Sequence, residues 1–407
     1  MIVSAATEYN PFHNGHKYHI EGAKRAGGEF FVAVMSGNFV QRGEPAIFDK
    51  HLRTRAALLN GADMVLELPY IYACAGAEFF ARGAINIIQR SGISDAICFG
   101  AETENIDGLK NLARFINDDE KYKSDLKKYL KDGLSYPAAR KAAVSESKTQ
   151  GIDADLLDTP NNILGVEYLK AMYSFGYETD IIAVKRNSDH HGEIIDSGFT
   201  SAKALRAAIN KNEIEKIKTA APDSAYGLYE SAIKNGDGPY LLNNLSPILQ
   251  YIIKTRGAEY LENIFEAAEG LHNRIYASAG RRFLISDIIA DVKTKRYAYT
   301  KISRVLLHAV LNITKDDYFY FESHGGPQYI RVLGYKKSSE VLLKRLAKYS
   351  DLPLMINLKN DMKKLSPPGI KMLENEIHAG DIFQLANTGA GGSFEAGYEY
   401  REPVVVV

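Results

Sequence analysis

Two histidines three residues apart, His13 and His16, stand in the stretch Ala6 to Ile20, which reads ATEYNPFHNGHKYHI. On a first helical turn that spacing puts both imidazoles on one side. A helix N-terminus carries unpaired backbone N–H groups and the positive end of the peptide dipole, so it draws phosphate. Imidazoles beside it can donate hydrogen bonds to phosphate oxygens as charge builds up during displacement at phosphorus. Gly15, having no Cβ, lets a flat base or ribose approach the backbone closely. The chemistry indicated is a nucleotide site for transfer of an adenylyl group. Two plainer readings stay open: local hydrogen bonding at a helix start, and a metal cluster of His13, His16 and His19, which no cysteine or carboxylate at ligand spacing joins.

The elements that must hold these residues follow from periodicity. Met1 to Ala6 is an apolar run short enough for a buried strand, Asn10-Pro11-Phe12 makes a tight bend, and Tyr18, Ile20 and Ala23 have helical spacing. Further strands are expected at Phe30–Met35, Met64–Pro69, Ala96–Gly100 and Asp180–Lys185, and helices at Asp49–Asn60 and Ala75–Ser91. Strands alternating with helices in this way predict an α/β, Rossmann-like domain over residues 1–209 with a five-stranded parallel sheet. In such a sheet the loops at the carboxyl ends of the strands line the ligand crevice. The loop Ser36 to Pro45 should therefore face His13, offering Gln41 and Arg42, and Gly100 should sit where a base or ribose can pack. In Thr159-Pro160-Asn161-Asn162, the adjacent amides could position a ligand or merely cap a helix. After the fifth strand come Lys185, Arg186 and Asn187, then TSAKALR, where Thr200 or Ser201 can cap a helix and leave Lys203 and Arg206 facing a triphosphate.

His13-Asn14-Gly15-His16 resembles the H-x-G-H signature of the HIGH-motif nucleotidyltransferases, and TSAKALR is similar to their second, phosphate-holding signature, though without its two consecutive serines. With MSGNFVQRGEPA, LELP, FGAE, TPNNILG and VKR, the chain resembles the tRNA(Met) cytidine acetate ligase family. That resemblance implies activation of acetate by ATP to acetyl-adenylate, with Mg²⁺, and transfer of the acetyl group to N4 of the wobble cytidine of elongator tRNA(Met). It also implies an ATP site made of the run from Ala6 through Thr7, Glu8, Tyr9, Asn10, Pro11, Phe12, His13, Asn14, Gly15, His16, Lys17, Tyr18, His19 and Ile20. Gly100, one or both of Asn161 and Asn162, Arg186, Asn187, Ser201 and Arg206 join that site. His13, His16 and Lys203 would be the catalytic residues, with no protein-held metal. Lys185 or Arg186 could meet phosphate or the acetate carboxylate.

Composition sets outer bounds. The 407 residues are 45% hydrophobic and 25% charged, ordinary globular values for two or three domains. No apolar run approaches the ~20 residues of a membrane helix, no leader is apparent, and the two cysteines, Cys74 and Cys98, form no motif, so a cytoplasmic protein is expected. Net charge is zero, yet residues 271–348 hold fifteen Lys and Arg against six Asp and Glu. From residue 210 to 407 helical patterns dominate, which predicts a mainly α-helical C-terminal domain. Arg281, Arg282, Arg296, Arg304 and Arg331, interleaved with Tyr276, Tyr297, Tyr299 and Tyr329, suit phosphate contacts and stacking on an unpaired RNA base. No obligate protein partner is implied. A small-molecule adenylyltransferase of the coenzyme-biosynthesis type would share the nucleotide motifs but have no use for this basic half. A non-catalytic RNA-binding protein is the third possibility.

Overall fold

The computed structural model describes residues 1–147, 149–185, 200–268, 270–388, 394 and 396–407. Five strands, β1 (Ile2–Thr7), β2 (Phe30–Ser36), β3 (Met64–Leu68), β4 (Ala96–Ala101) and β5 (Asp180–Lys185), lie parallel in the order β3-β2-β1-β4-β5. The helices that cover them are α1 (Asn14–Arg25), α2 (Lys50–Leu59), α3 (Ala77–Ser91), α4 (Pro160–Ser174) and α5 (Ala202–Asn210), with three charged helices between residues 106 and 147. Alternate residues of β2 feed the two faces. Phe31, Ala33 and Met35 share a core with Ile20, Leu58 and Leu205, while Val32 and Val34 pack with Ile85, Ile88 and Leu169. Burial on both faces is why β1 to β4 read as unbroken apolar runs, while β5, at the sheet edge, is only half-buried. Strand order reverses beside β1, so the crevice between the ends of β1 and β4 is the expected ligand position.

Beyond residue 210 the chain is mainly helical: α6 (Asp223–Asn235), α7 (Ser246–Asn263), α8 (Leu271–Ala279), α9 (Ile285–Val292), α10 (Tyr299–Leu311) and α11 (Pro367–Thr388). It also supplies three strands that the sequence did not announce as part of the same sheet. β6 (Ile330–Tyr335) runs antiparallel to β3, and both β7 (Leu354–Met355) and β8 (Val405–Val406) run parallel to β6. The sheet thus crosses the boundary drawn at 209. Among the described residues, no helix is long and apolar enough to cross a membrane.

Candidate active site

α1 begins at His13, whose backbone is extended (φ −147°, ψ 175°). His13 Nδ1 accepts the Gly15 N–H at 3.0 Å, and His16 Nδ1 accepts the His13 N–H at 3.2 Å. The result is a capping box built from two imidazoles, where a hydroxyl and a Glu or Gln are usual. A ring nitrogen that accepts carries no proton, so in the neutral ring the proton sits on Nε2. The two rings lie 3.8 Å apart at 30°. Tyr9 and Phe12, both fully buried, stand 5.0 and 5.6 Å from the His16 ring. Tyr229 of α6 donates to the Phe12 carbonyl at 3.0 Å, fixing that support from the helical half. No acidic residue occupies the first turn, so the helix dipole keeps its attraction for an anion. Gly15 has a use the sequence did not suggest: a Cβ there would meet His13 Cε1 at 2.8 Å and push the cap aside.

The loops after β1 and β2 are held together from beneath by Arg53 of α2. It is fully buried and makes no ion pair among the described residues; it donates to the carbonyls of Glu8 (2.6 Å), Phe48 (2.9 Å), Ser36 (3.1 Å) and Gly37. Burial brings its guanidinium down to about 10, still protonated at neutral pH. Glu8 accepts the Gln41 N–H at 2.8 Å, and burial pushes its carboxyl up in spite of nearby Arg42. Arg206 joins the same loops from above. Its Nη1 donates to the Asn10 carbonyl at 2.7 Å, and its Nε lies 3.2 Å from Glu44 Oε1. Asn10 Nδ2, Ser36 Oγ, Asn38 Nδ2, Gln41 Nε2 and Thr159 Oγ1 are buried around this crevice without a hydrogen-bond partner among the described residues. Orphans of this kind cost about 1–3 kcal/mol each.

On the other side, Glu102 ends the β4 loop and caps α4. Its carboxylate accepts from Asn161 Nδ2 (2.5 Å) and from the N–H groups of Asn161 (3.3 Å) and Asn162 (3.0 Å), while Asn162 Oδ1 accepts from the Glu102 N–H at 3.0 Å. Both asparagines therefore hold Gly100 and its loop against α4, and Asn162 is buried in doing so. Gly165 lets that helix close on Phe99, 2.8 Å from where a Cβ would stand. Ser201 caps α5 by accepting the Ala204 N–H at 3.2 Å, and Lys203 is exposed on its first turn. Lys185 pairs with Glu104 at 2.7 Å. Arg186 and Asn187 lie outside the described residues.

Several expected site residues are placed elsewhere. Ile20 is a core residue, and His19 is turned to the sheet, with Nε2 3.3 Å from Cys98 Sγ, because positions 19 and 20 of α1 face β4 and β2 and not the crevice. Asn14 donates to the Thr219 and Ala220 carbonyls. Lys17 is exposed. Among the expected RNA contacts, Arg331 is corrected outright. It is buried on β6, with Nη1 2.9 Å from Glu67 and 2.6 Å from Glu399. Arg304 is largely buried against Glu266 at 2.7 Å, and Tyr297 and Tyr329 are core. Arg281 and Arg282 do stand in solvent, 3.1 and 4.0 Å from Asp291. Tyr276 and Tyr299 are exposed, and so are Tyr251 and Phe283, which the sequence did not single out.

Sequence reading also missed a buried charge cluster under Gly37. Lys50 Nζ lies 2.5 Å from Glu67 and 2.8 Å from Glu399, the same carboxylates that meet Arg331. Glu376 accepts the Tyr70 N–H at 2.9 Å beside them; burial and then Glu67 push its carboxyl up to about 8. A neutral Glu376 leaves two cations facing two anions, the balance a buried cluster needs.

A family model described as HIGH Nucleotidyl Transferase matches residues 1–394. A tRNA(Met) cytidine acetate ligase of Acetivibrio thermocellus is 35% identical over 414 residues, covering 100% of both chains. One of Caldanaerobacter subterraneus is 38% identical, covering 93% of this chain and 94% of its own. The crystal structure of Thermotoga maritima TmcAL bound with alpha-thio ATP superposes with a TM-score of 0.91 at 29% identity, covering 100% of this chain and 99% of that one. Its apo form gives 0.93 at 28% identity, with the same coverage.

Proposed function

The chain belongs to the HIGH nucleotidyltransferases and, within them, to the tRNA(Met) cytidine acetate ligase family, and on that premise we propose how it works on acetate, ATP and tRNA. It is an ATP-dependent ligase. Acetate oxygen bonds to the α-phosphorus, the bond to the bridging oxygen breaks, and pyrophosphate leaves. The amine N4 of the wobble cytidine in elongator tRNA(Met) then bonds to the acetyl carbon and AMP departs. ATP enters as its Mg²⁺ complex, the ion held by phosphates and water. The observation that carries this reading is the pair of imidazoles capping α1, with Nδ1 engaged on backbone and Nε2 as donor. Donors fixed in this way stabilise the charge that develops on the α-phosphate without reorganising. Lys203 and Arg206 receive the pyrophosphate, and Gly100 lies against the base or ribose. Residues 1–209, which carry the five parallel strands and the histidine pair, supply this chemistry in the cytoplasm, and the basic helices after 210 hold the RNA through Arg281, Arg282 and Arg296.

The full chain with ATP, Mg²⁺ and acetate should exchange labelled pyrophosphate into ATP in the absence of RNA. Exchange that requires a phosphorylated metabolite in place of acetate would assign a small-molecule adenylyltransferase. No exchange with either would leave RNA binding without catalysis.

A further inference from the structure

A cavity of about 240 Å³ opens between the Glu44–Pro45 loop, α5, the segment before α7, and the starts of α9 and α10. From its residues we infer that it is the pocket in which the acceptor base is held, an inference that rests on the acetyl-transfer reading above. Three observations converge. First, one guanidinium touches both this cavity and the nucleotide loop. Arg206 lines the cavity, bonds the Asn10 carbonyl at 2.7 Å and meets Glu44 at 3.2 Å, so an atom in the cavity lies one side chain away from the loop that carries His13. Second, Glu44 lines the cavity with a carboxylate, one oxygen of which, Oε1, lies 3.2 Å from Arg206 Nε. Its Oε1 is buried and, in spite of the ion pair, takes no well-aligned hydrogen bond from any described residue. A carboxylate is the side chain that accepts from the exocyclic amine of cytosine. Third, Tyr299 stands at the mouth, 44% exposed, as a face on which an unstacked base can lie. Tyr240, on the inner wall, is already stacked on Phe383 at 3.8 Å, and Asn243 and Ser286 bond each other at 3.0 Å, so these close the pocket without competing for the guest.

The volume falls below the roughly 300–1,000 Å³ of sites for drug-sized ligands, which suits one nucleoside and no stacked pair. With the base seated, the amine nitrogen bonds to the acetyl carbon, the bond from that carbon to the phosphate oxygen breaks, and the proton lost by nitrogen passes to the Glu44 carboxylate. Glu44 is thus the assigned acceptor for that proton, and Tyr299 positions the base.

Two measurements on the full chain separate this pocket from the underlying reading. The first compares acetate-dependent pyrophosphate exchange with acetyl transfer to a tRNA(Met) transcript. Tyr299→Ala should raise KM for the tRNA by about tenfold or more, with exchange changed less than about twofold, and Tyr299→Phe should restore it. Glu44→Gln should lower the transfer kcat by about a hundredfold, well beyond any loss of exchange. Equal losses in both half-reactions would make the pocket a mere support for the nucleotide loop and overturn the assignment, as would unchanged transfer in both variants. The second places a fluorescent cytosine analogue at the wobble position and reads its emission on binding, with no ATP. A change in emission abolished by Tyr299→Ala supports the pocket. An unchanged signal in that variant overturns it even where exchange is intact, and exchange failing while the signal persists overturns acetate activation alone.

Discussion

Arginines do opposite work in two regions of this molecule. At the strand ends, Arg53 and Arg206 are withdrawn from water and spend their donors on the carbonyls of Glu8, Ser36, Phe48, Gly37 and Asn10. On the helical half, Arg281 and Arg282 stand more than half exposed beside one aspartate. The first kind fixes the backbone of the loops at the strand ends; the second leaves its charge in solvent, where it adds to the long-range field of that face. Position, more than residue type, decides which of the two an arginine becomes.

The largest expected effect is loss of the inner kind. Arg53→Ala orphans four buried carbonyls and should cost about 4 kcal/mol or more, read as the shift in the urea midpoint; a change under about 1 kcal/mol would mean that the loops are held by other bonds. Next comes the site itself. His16→Ala should lower turnover by about 10²–10³-fold while ATP affinity, measured by calorimetry, changes far less, and a proportional loss of ATP binding would deny His16 its transition-state role. The buried cluster should show in pH dependence. His51 is held down to about 3 by burial and then Lys50, so stability rises with pH until the unfolded histidine has lost its proton near 6.5. Glu376, raised from 4.5 to about 8, keeps its proton in the fold after the unfolded chain has lost it. Its contribution is therefore full at low pH and drains away as pH climbs to 8, by about 1–2 kcal/mol above pH 6.5. Glu376→Gln should flatten that upper limb in denaturation curves taken at pH 6.5 and 8, and an unaltered limb would place the titration elsewhere. The smallest effect belongs to the outer kind. Charge reversal of Arg281 and Arg282 should weaken tRNA binding with little change in melting temperature and reduce the salt slope by about 1 per lost phosphate contact.

The same contrast explains what the sequence made legible. Five parallel strands were readable because each is a local apolar run, and the histidine pair was readable because its spacing is local too. Arg53 was not, since its partners are carbonyls and leave no residue-type signal. Arg331 was misread as a surface cation because Glu67 and Glu399, which neutralise it, come from distant parts of the chain. Strands β6 and β8 pair with partners equally remote, and no local periodicity reports such pairing. Glu102 sat in the FGAE motif, yet its role as a cap for α4 depends on a contact across 60 residues.

Lys50 belongs to the first quarter of the chain and Glu399 to its far part, yet they meet at 2.8 Å. A polypeptide leaving the ribosome exposes Lys50 and Glu67 long before Arg331 and Glu399 exist to complete the cluster. The ground beneath Gly37 is therefore set only once the far part of the chain has been translated, so the loop after β2 and the chain's last residues must fold as one unit.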